Sequence, residues 1–201
     1  MSGESIQFKF NPKKAAEAAC KLLQLAGGTL NYMVLVKLLY LADREALKKF
    51  ESPITGDRMS SLPYGPVLSR ILNLIKGGPI DEGDSPWFET VSPPEGYDVK
   101  LIGNHGYENL SGAEEKILAE IFQKYGNKTW QEMSRITHDL PEWIDPDGGS
   151  IPIQGEQILL YGGRSVDDLR QIKNEMASLE QLDREVAKYE GKLFYQDASG
   201  V

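Results

Sequence analysis

The fold is decided by residues 31–49, which read NYMVLVKLLYLADREALKK. From Val34 to Ala42, the apolar side chains of this stretch would cover nearly the whole circumference of a helix. A helix that is apolar on most sides belongs at the centre of a domain, because it has no face suited to water. The charged residues 43–49 then carry the helix out of the core. We therefore predict a mainly helical fold built around this helix.

Capping signals place further helices before and after the central one. Asn11 followed by Pro12 is typical of a helix start, and the glycines at 27 and 28 are typical of a helix end. Residues 111–114 (SGAE) and 129–132 (TWQE) are capping boxes, in which a hydroxyl and a carboxylate satisfy the free amides of a first helical turn. We therefore expect a helix after each of these signals.

Short strands are expected between these helices. Residues 57–62, 87–91 and 97–102 are short segments bounded by turn signals, which predicts one small antiparallel sheet. The last two segments would form a hairpin across the Pro-rich turn between them. A further helix, with Val67 on its inward face, is expected directly after the turn at residues 64–66.

The C-terminal part of the chain is predicted to form one long amphipathic helix. Its apolar residues, from Leu169 to Tyr189, follow one another at intervals of three or four, after a capping signal at Ser165. Such a stripe packs either against its own domain or against a second copy of the chain in a homodimer, and both interpretations stay open. Residues 151–161 are ambiguous and fit a short helix. We expect a helical domain over residues 1–163, the amphipathic helix over 164–190 and a flexible tail over 191–201.

Composition limits the compartment and the chemistry. The chain has 201 residues, 40% hydrophobic and 26% charged, and a chain of this length needs no disulfide or metal to fold. Cys20 is its single cysteine, which indicates a reducing compartment. The polar first ten residues and the break at Lys37 in the longest apolar run argue against export and against a membrane span. Two histidines and one cysteine are too few for a four-ligand zinc site, so we expect a cytoplasmic protein without metal or cofactor.

The charge is unevenly distributed along the chain. Residues 1–76 hold 11 Lys and Arg against 6 Asp and Glu, whereas residues 77–201 hold 11 against 24. A net charge of −8 disfavours nucleic acid as a partner, because nucleic-acid binders usually carry a basic surface. An acidic second half suits a basic protein partner, or simply solubility.

Side chains that could carry catalysis are scattered. Cys20 lies on the apolar stripe of the first helix, which is typical of an inert buried thiol. His105 is expected on a surface loop, and His138 at a helix end, where it fits either a C-cap or a general base. No set of nucleophile, base and orienting group emerges, so we do not expect an enzyme.

Three motifs in the first half carry a resemblance to a known family. They are residues 37–43 (KLLYLAD), 53–58 (PITGDR) and 64–67 (YGPV), followed downstream by residues 129–130, 136–138 and Trp143. In order and spacing they resemble the Panacea domain of the SocA-like antitoxins, a family that includes phage-associated proteins. The resemblance covers roughly residues 10–160 and leaves the last helix outside.

The resemblance implies a function. Panacea domains neutralise a toxin encoded beside them by direct protein contact, and one relative is described as an adaptor that delivers its toxin to an AAA+ protease. No member is an established enzyme. For this chain the resemblance implies a cognate toxin as partner, with an AAA+ protease as a further partner if it is an adaptor. It also implies motif or contact residues at Asp43, Asp57, Arg58, Tyr64, Gly65, Pro66, His138 and Trp143.

The motif residues leave several arrangements open. Asp43, Asp57 and Arg58 would form either a charged pocket beside the Tyr-Gly-Pro turn or a buried Asp–Arg pair that locks the loop. If Asp43, Arg58 and His138 met in one cleft, an enzyme acting on a nucleotide would be the alternative. A further hypothesis is a winged-helix DNA-binding regulator, whose recognition helix would follow the turn and whose wing would be the hairpin at residues 87–102.

Overall fold

The computed structural model describes residues 5–78, 81–103 and 106–197. Within those residues the chain forms eight α-helices and five short β-strands. They are α1 (Pro12–Leu25), β1 (Thr29–Asn31), α2 (Tyr32–Phe50), β2 (Met59–Leu62), β3 (Gly65–Leu68), α3 (Ser69–Ile75), α4 (Ser85–Thr90), β4 (Asp98–Lys100), α5 (Gly112–Tyr125), α6 (Trp130–His138), β5 (Ile151–Ile153), α7 (Gly155–Tyr161) and α8 (Val166–Asp197). The predicted fold class, mainly helical with small antiparallel sheets, is confirmed.

The buried centre of the fold is α2, as predicted. Twelve of its 19 residues are buried, and α1, α3, α5, α6, α7 and β3 pack around it. The side chain of Asn31 begins the helix by accepting a hydrogen bond from the amide of Met33 (3.0 Å). Lys37 and Asp43 lie on this helix with no exposed surface, although charged side chains are rarely buried completely. The most buried element therefore brings a lysine and an aspartate into the core.

Two small antiparallel sheets replace the single sheet that the sequence predicts. β2 pairs with β3 on one side and with β5 on the other, and β1 pairs separately with β4. The strands expected at residues 57–62 and 97–102 are present, in shorter form, as β2 and β4. The strand predicted at residues 87–91 is wrong: α4 forms there, because Pro86 suits a first helical turn and Trp87 is buried where α4 packs against α1. α4 replaces most of the first strand of the expected hairpin, and the antiparallel bridges Val91–Leu101 and Glu95–Asp98 are what remains of the wing in the winged-helix hypothesis.

The helix predicted after the Tyr-Gly-Pro turn begins later than expected. Gly65 pairs with Leu62 across a two-residue turn, and Val67 continues as part of β3, opposite Ser60. The prediction that placed Val67 on a helix is wrong, because the pairing with β2 holds this residue in an extended conformation. α3 begins only at Ser69. The turn therefore forms the tip of the β2–β3 hairpin and does not lead directly into a helix.

The capping boxes are confirmed at the starts of two later helices. The Ser111 hydroxyl and the Glu114 carboxylate cap α5, and Thr129 and Glu132 cap α6. The ambiguous residues 151–161 divide into β5 and the short helix α7.

The chain divides into two compact units, Met1–Gly162 and Gly163–Val201. Among the described residues, the first unit holds α1–α7 with the five strands, and the second holds α8. Ser165 donates its amide to the Asp168 carboxylate (2.7 Å) at the start of α8, as the capping signal predicts. α8 continues beyond residue 190, so the predicted tail is helical as far as Asp197. The last part of that tail, residues 198–201, lies outside the described residues.

Candidate functional site

Asp43 holds the loop that follows α2. Its Oδ1 accepts a hydrogen bond from the Thr55 amide (3.0 Å), and its Oδ2 accepts one from the Thr55 hydroxyl (2.5 Å). The same hydroxyl oxygen accepts a hydrogen bond from the amide of Asp57 (3.2 Å). Complete burial raises the pKa of Asp43 to about 7, because the charged carboxylate is removed from water. Asp43 is therefore part of the interior and does not line a charged pocket.

Asp57 caps α3 from outside that helix. Its two carboxylate oxygens accept hydrogen bonds from the amides of Arg70 (3.0 Å) and Ile71 (2.9 Å). Leu68, which precedes α3, has no side chain that can cap, so this carboxylate satisfies the free amides instead. Burial raises the pKa of the Asp57 carboxyl, although the amides oppose that shift. The buried Asp–Arg pair, one of the two arrangements left open, is not what satisfies this acid: the Arg58 side chain is exposed and acts on Asp57 only through its charge, whereas backbone amides bind the carboxylate.

The β2–β3 hairpin presents Tyr64 at its tip. Three side chains from other elements donate hydrogen bonds to its backbone carbonyls: Trp143 Nε1 to Leu62 (3.1 Å), Ser134 Oγ to Tyr64 (3.0 Å) and Lys37 Nζ to Pro66 (3.5 Å). The side chain of Tyr64 is nevertheless 60% exposed. The hairpin tip thus combines a braced backbone with an exposed aromatic ring.

Gly65 allows the hairpin to pack closely against its neighbours. Its φ is +98°, a region that side chains strongly disfavour. A Cβ atom at this position would lie 2.6 Å from Thr137 Oγ1 and 2.7 Å from Lys37 Nζ, closer than real Cβ contacts. The glycine of the motif is therefore required by both conformation and space.

Lys37 is the motif residue whose importance the sequence reasoning missed. Its side chain is completely buried behind the hairpin, and its hydrogen bond to the Pro66 carbonyl is long, at 3.5 Å. Desolvation lowers the pKa of Lys37 to about 8. The sequence did hold one indication of this role: a lysine lies within the apolar stretch of the central helix. A buried ammonium group is unfavourable unless it is paired or hydrogen-bonded, so such a lysine is expected to have a specific partner.

His138 and Trp143 pack together behind the hairpin. Their rings stack with centroids 4.0 Å apart and planes 14° from parallel. In the described part of the chain His138 Nε2 is buried and has no hydrogen-bond partner. Asp43 is hydrogen-bonded to Thr55, Arg58 is exposed and His138 stacks on Trp143. In the part of the chain that the structure describes, no hydrogen bond or ion pair joins the three residues of the enzyme hypothesis. The other histidine, His105, lies outside the described residues.

A groove of about 540 Å³ opens beside the hairpin tip. Two aromatic pairs line it: Tyr32 stacks on Tyr97 (centroids 6.0 Å apart, 21°), and Tyr64 meets Trp130 edge to face (6.0 Å, 87°). We call it the aromatic groove, and its lining residues are Tyr32, Met33, Leu62, Pro63, Tyr64, Gly65, Val67, Leu72, Lys76, Tyr97 and Trp130.

A family model described as antitoxin SocA-like, Panacea domain, matches residues 35–144. This chain belongs to that family. The matched residues make up more than half of the chain and extend from the first turns of α2 to just beyond Trp143. No curated protein and no solved structure matches the chain.

In this Panacea domain the matched residues fall into two environments. Asp43 and Asp57 organise the interior, whereas Tyr64 and Trp130 line the aromatic groove. The groove also recruits Tyr32 from before the matched span and Tyr97 from within it, and sequence reasoning did not single out either tyrosine. Their shared position depends on the pairing of β1 with β4, which the sequence did not predict.

Further features of this Panacea domain bear on its chemistry. A second groove, of about 340 Å³, has Asp57 and Arg58 in its lining, but neither Asp43 nor the hairpin tip lines it.

Cys20 is buried on α1, as predicted, and desolvation raises the pKa of its thiol. Among the described residues no three His, Cys, Asp or Glu side chains are arranged to hold a metal ion. No helix in that part of the chain is long and apolar enough to span a bilayer.

Proposed function

We propose that this protein neutralises a toxin encoded by a neighbouring gene, by binding the toxin directly at the aromatic groove. Membership of the antitoxin family supports a role of this type. The observation that carries the placement is Tyr64, whose exposed ring stands on a backbone held by hydrogen bonds from Trp143, Ser134 and Lys37. Binding alone accounts for this function, and we propose no catalytic activity.

A braced aromatic residue is well suited to this task. Ordering a mobile loop on binding costs free energy, and a hairpin that is already held loses less freedom. Tyrosine and tryptophan are frequent among the residues that dominate binding energy. Tyr64, Tyr97 and Trp130 are 60%, 68% and 36% exposed, so the groove offers several such side chains to one partner.

The distribution of charge supports a basic toxin. Residues 77–201 carry 24 acidic against 11 basic side chains. An acidic surface attracts a basic partner and speeds encounter, and salt weakens this effect. We propose that toxin and antitoxin meet in the cytoplasm, in keeping with a sequence that holds a single cysteine.

The helix α8 supports a second contact surface. Leu179, Leu182 and Val186 follow one another at helical spacing and are 61%, 55% and 46% exposed. A stripe of this kind fits a groove on a partner or the same helix of a second copy. We therefore propose α8 as the surface for a homodimer contact or, if the protein is an adaptor, for an AAA+ protease.

Rescue of growth separates the two surfaces. Cells that express the neighbouring gene should stop growing and should recover when the wild-type protein is supplied. Tyr64→Ala should abolish recovery, whereas Leu182→Glu and the control Tyr161→Ala, which removes a 57% exposed tyrosine from α7, should preserve it. Loss of recovery with Leu182→Glu but not with Tyr64→Ala would contradict the toxin interface at the aromatic groove and would show that neutralisation requires a contact of α8. A neighbouring gene that is harmless on its own would contradict the antitoxin function itself.

A further inference from the structure

Resting on the proposed function, we infer that the aromatic groove binds an extended segment of the toxin, rich in proline or aliphatic side chains, with one acidic residue that meets Lys76. The groove combines four aromatic rings, an apolar lining and a single cation. Each part of that combination restricts the chemistry of the segment that fits.

Backbone contacts fix the two aromatic pairs in place. The amide of Tyr32 donates to the carbonyl of Tyr97 (2.8 Å), which joins the two stacked tyrosines through the main chain. Trp130 is the first residue of α6, directly after the capping hydroxyl of Thr129. Tyr64 stands on the braced hairpin. The four rings therefore form a surface that exists before a partner arrives.

Such a surface favours an extended segment. Met33, Val67 and Leu72 lie among the rings and add apolar contact area. Proline-rich segments dock in aromatic-lined grooves, because they are already extended and lose little freedom on binding. All four residues of β3 are buried, so this edge of the sheet is poorly placed to pair with an added strand. The segment is therefore recognised by its side chains and not by its main-chain hydrogen bonds.

Lys76 sets the charge of the segment. Of the described residues that line the groove, it is the only charged one. It is exposed, and its ammonium group has no hydrogen bond or ion pair with other described residues. An acidic side chain of the segment would pair with it. Aromatic rings also stack on nucleic-acid bases, but a phosphate chain needs several cations and this lining offers one. Charge complementarity thus favours an acidic residue within an otherwise uncharged peptide.

Overlapping synthetic peptides that cover the toxin sequence provide the test. The purified full-length protein should bind the peptides that combine proline or aliphatic residues with Asp or Glu, as measured by fluorescence anisotropy. Tyr97→Ala should weaken binding by about tenfold or more, and so should Lys76→Glu. Tyr161→Ala and the charge reversal Lys13→Glu, at an exposed position outside the groove, should have no effect. A peptide in which the acidic residue is replaced by Lys should bind the Lys76→Glu protein more tightly than it binds the wild-type protein.

The outcomes distinguish this inference from the function on which it rests. If the intact toxin binds but no peptide does, and Tyr97→Ala and Lys76→Glu bind the toxin normally, the inference is overturned and the proposed function stands. If an oligo(U) probe competes with the intact toxin for the groove, the groove binds nucleic acid and the inference is also overturned. If the intact toxin does not bind the protein, the proposed function fails.

Discussion

The acids of the family motif and its tyrosine lie in opposite environments. Asp43 and Asp57 are buried, and each accepts two hydrogen bonds that hold a loop or a helix start in place. Tyr64 exposes more than half of its side chain, and its hydrogen bonds are made by its backbone. The comparison teaches that one sequence motif contributes to two regions: its acids build the scaffold, and its tyrosine is exposed, as the proposed role in partner binding requires.

Lys37 connects the two regions. It lies on α2 with Asp43, and its ammonium group reaches the Pro66 carbonyl at the base of the hairpin tip. Both side chains are completely buried, but burial shifts their pKa values in opposite directions. Each of these side chains can therefore be tested by its effect on stability as a function of pH.

The largest change in stability is expected at Asp57. Asp57→Ala leaves the amides of Arg70 and Ile71 without their partner and should lower the free energy of unfolding by about 2–4 kcal/mol. Urea unfolding followed by circular dichroism measures this loss. Glu120→Ala on α5 removes an exposed carboxylate and should change stability by no more than about 0.5 kcal/mol. Equal losses of stability in the two variants would contradict the conclusion that the buried Asp57 supports the fold more than an exposed acid does.

Replacing Lys37 should stabilise the protein. Lys37→Met removes an ammonium group that is buried with one long hydrogen bond, and should raise the free energy of unfolding by about 1–3 kcal/mol at neutral pH. The pKa of Lys37 is lowered from 10.5 to about 8, so between these values the unfolded chain binds more protons than the folded one. The stability of the wild type should then rise with pH, and the advantage of Lys37→Met should shrink. If Lys37→Met were less stable than the wild type at neutral pH, the interactions of the buried ammonium group would outweigh the cost of removing it from water.

The acid on α2 should have the opposite pH dependence. Because the pKa of Asp43 is raised from 3.8 to about 7, the folded protein keeps a proton there that the unfolded chain has lost. The stability from this group is complete below pH 3.8 and is lost as the pH rises towards 7. Relative to Asp43→Asn, the wild type should lose about 1 kcal/mol per pH unit in this range. If the free energies of unfolding of the wild type and of Asp43→Asn changed in parallel with pH, the raised pKa of Asp43 would be contradicted.

The smallest effect on stability is expected at the hairpin tip. Tyr64→Ala removes a ring that is 60% exposed and leaves the three carbonyl acceptors in place. The free energy of unfolding should change by no more than about 0.5 kcal/mol, measured by the same urea titration. A loss comparable to that of Asp57→Ala would mean that the ring supports the scaffold after all.

Local signals account for the parts of the fold that could be predicted. The all-round apolar pattern of α2 and the capping boxes at Ser111 and Thr129 each depend on neighbouring residues, and the structure confirms them. The segment containing Trp87 resembles a strand in its side chains, yet packing against α1 makes it helical. Tertiary packing thus overrides a weak local preference.

The candidate site could be predicted only in part. Tyr64, Gly65 and Pro66 were found from the motif, but the role of Asp57 as a cap depends on amides more than ten residues away. Tyr32 and Tyr97 are far apart in sequence and meet because β1 pairs with β4. Contacts between residues far apart in the chain produce no periodic pattern in the sequence, so only the structure reveals them.

The most direct test measures stability and toxin affinity side by side in the same purified variants. Titration calorimetry with the toxin and urea unfolding are performed on the wild type, Tyr64→Ala and the control Tyr161→Ala. We predict that Tyr64→Ala weakens toxin binding by about thirtyfold, or about 2 kcal/mol, while its free energy of unfolding and the affinity of Tyr161→Ala stay unchanged. Wild-type affinity in Tyr64→Ala, or a loss of affinity that occurs only together with a loss of stability, would contradict the assignment of the exposed tyrosine to partner binding.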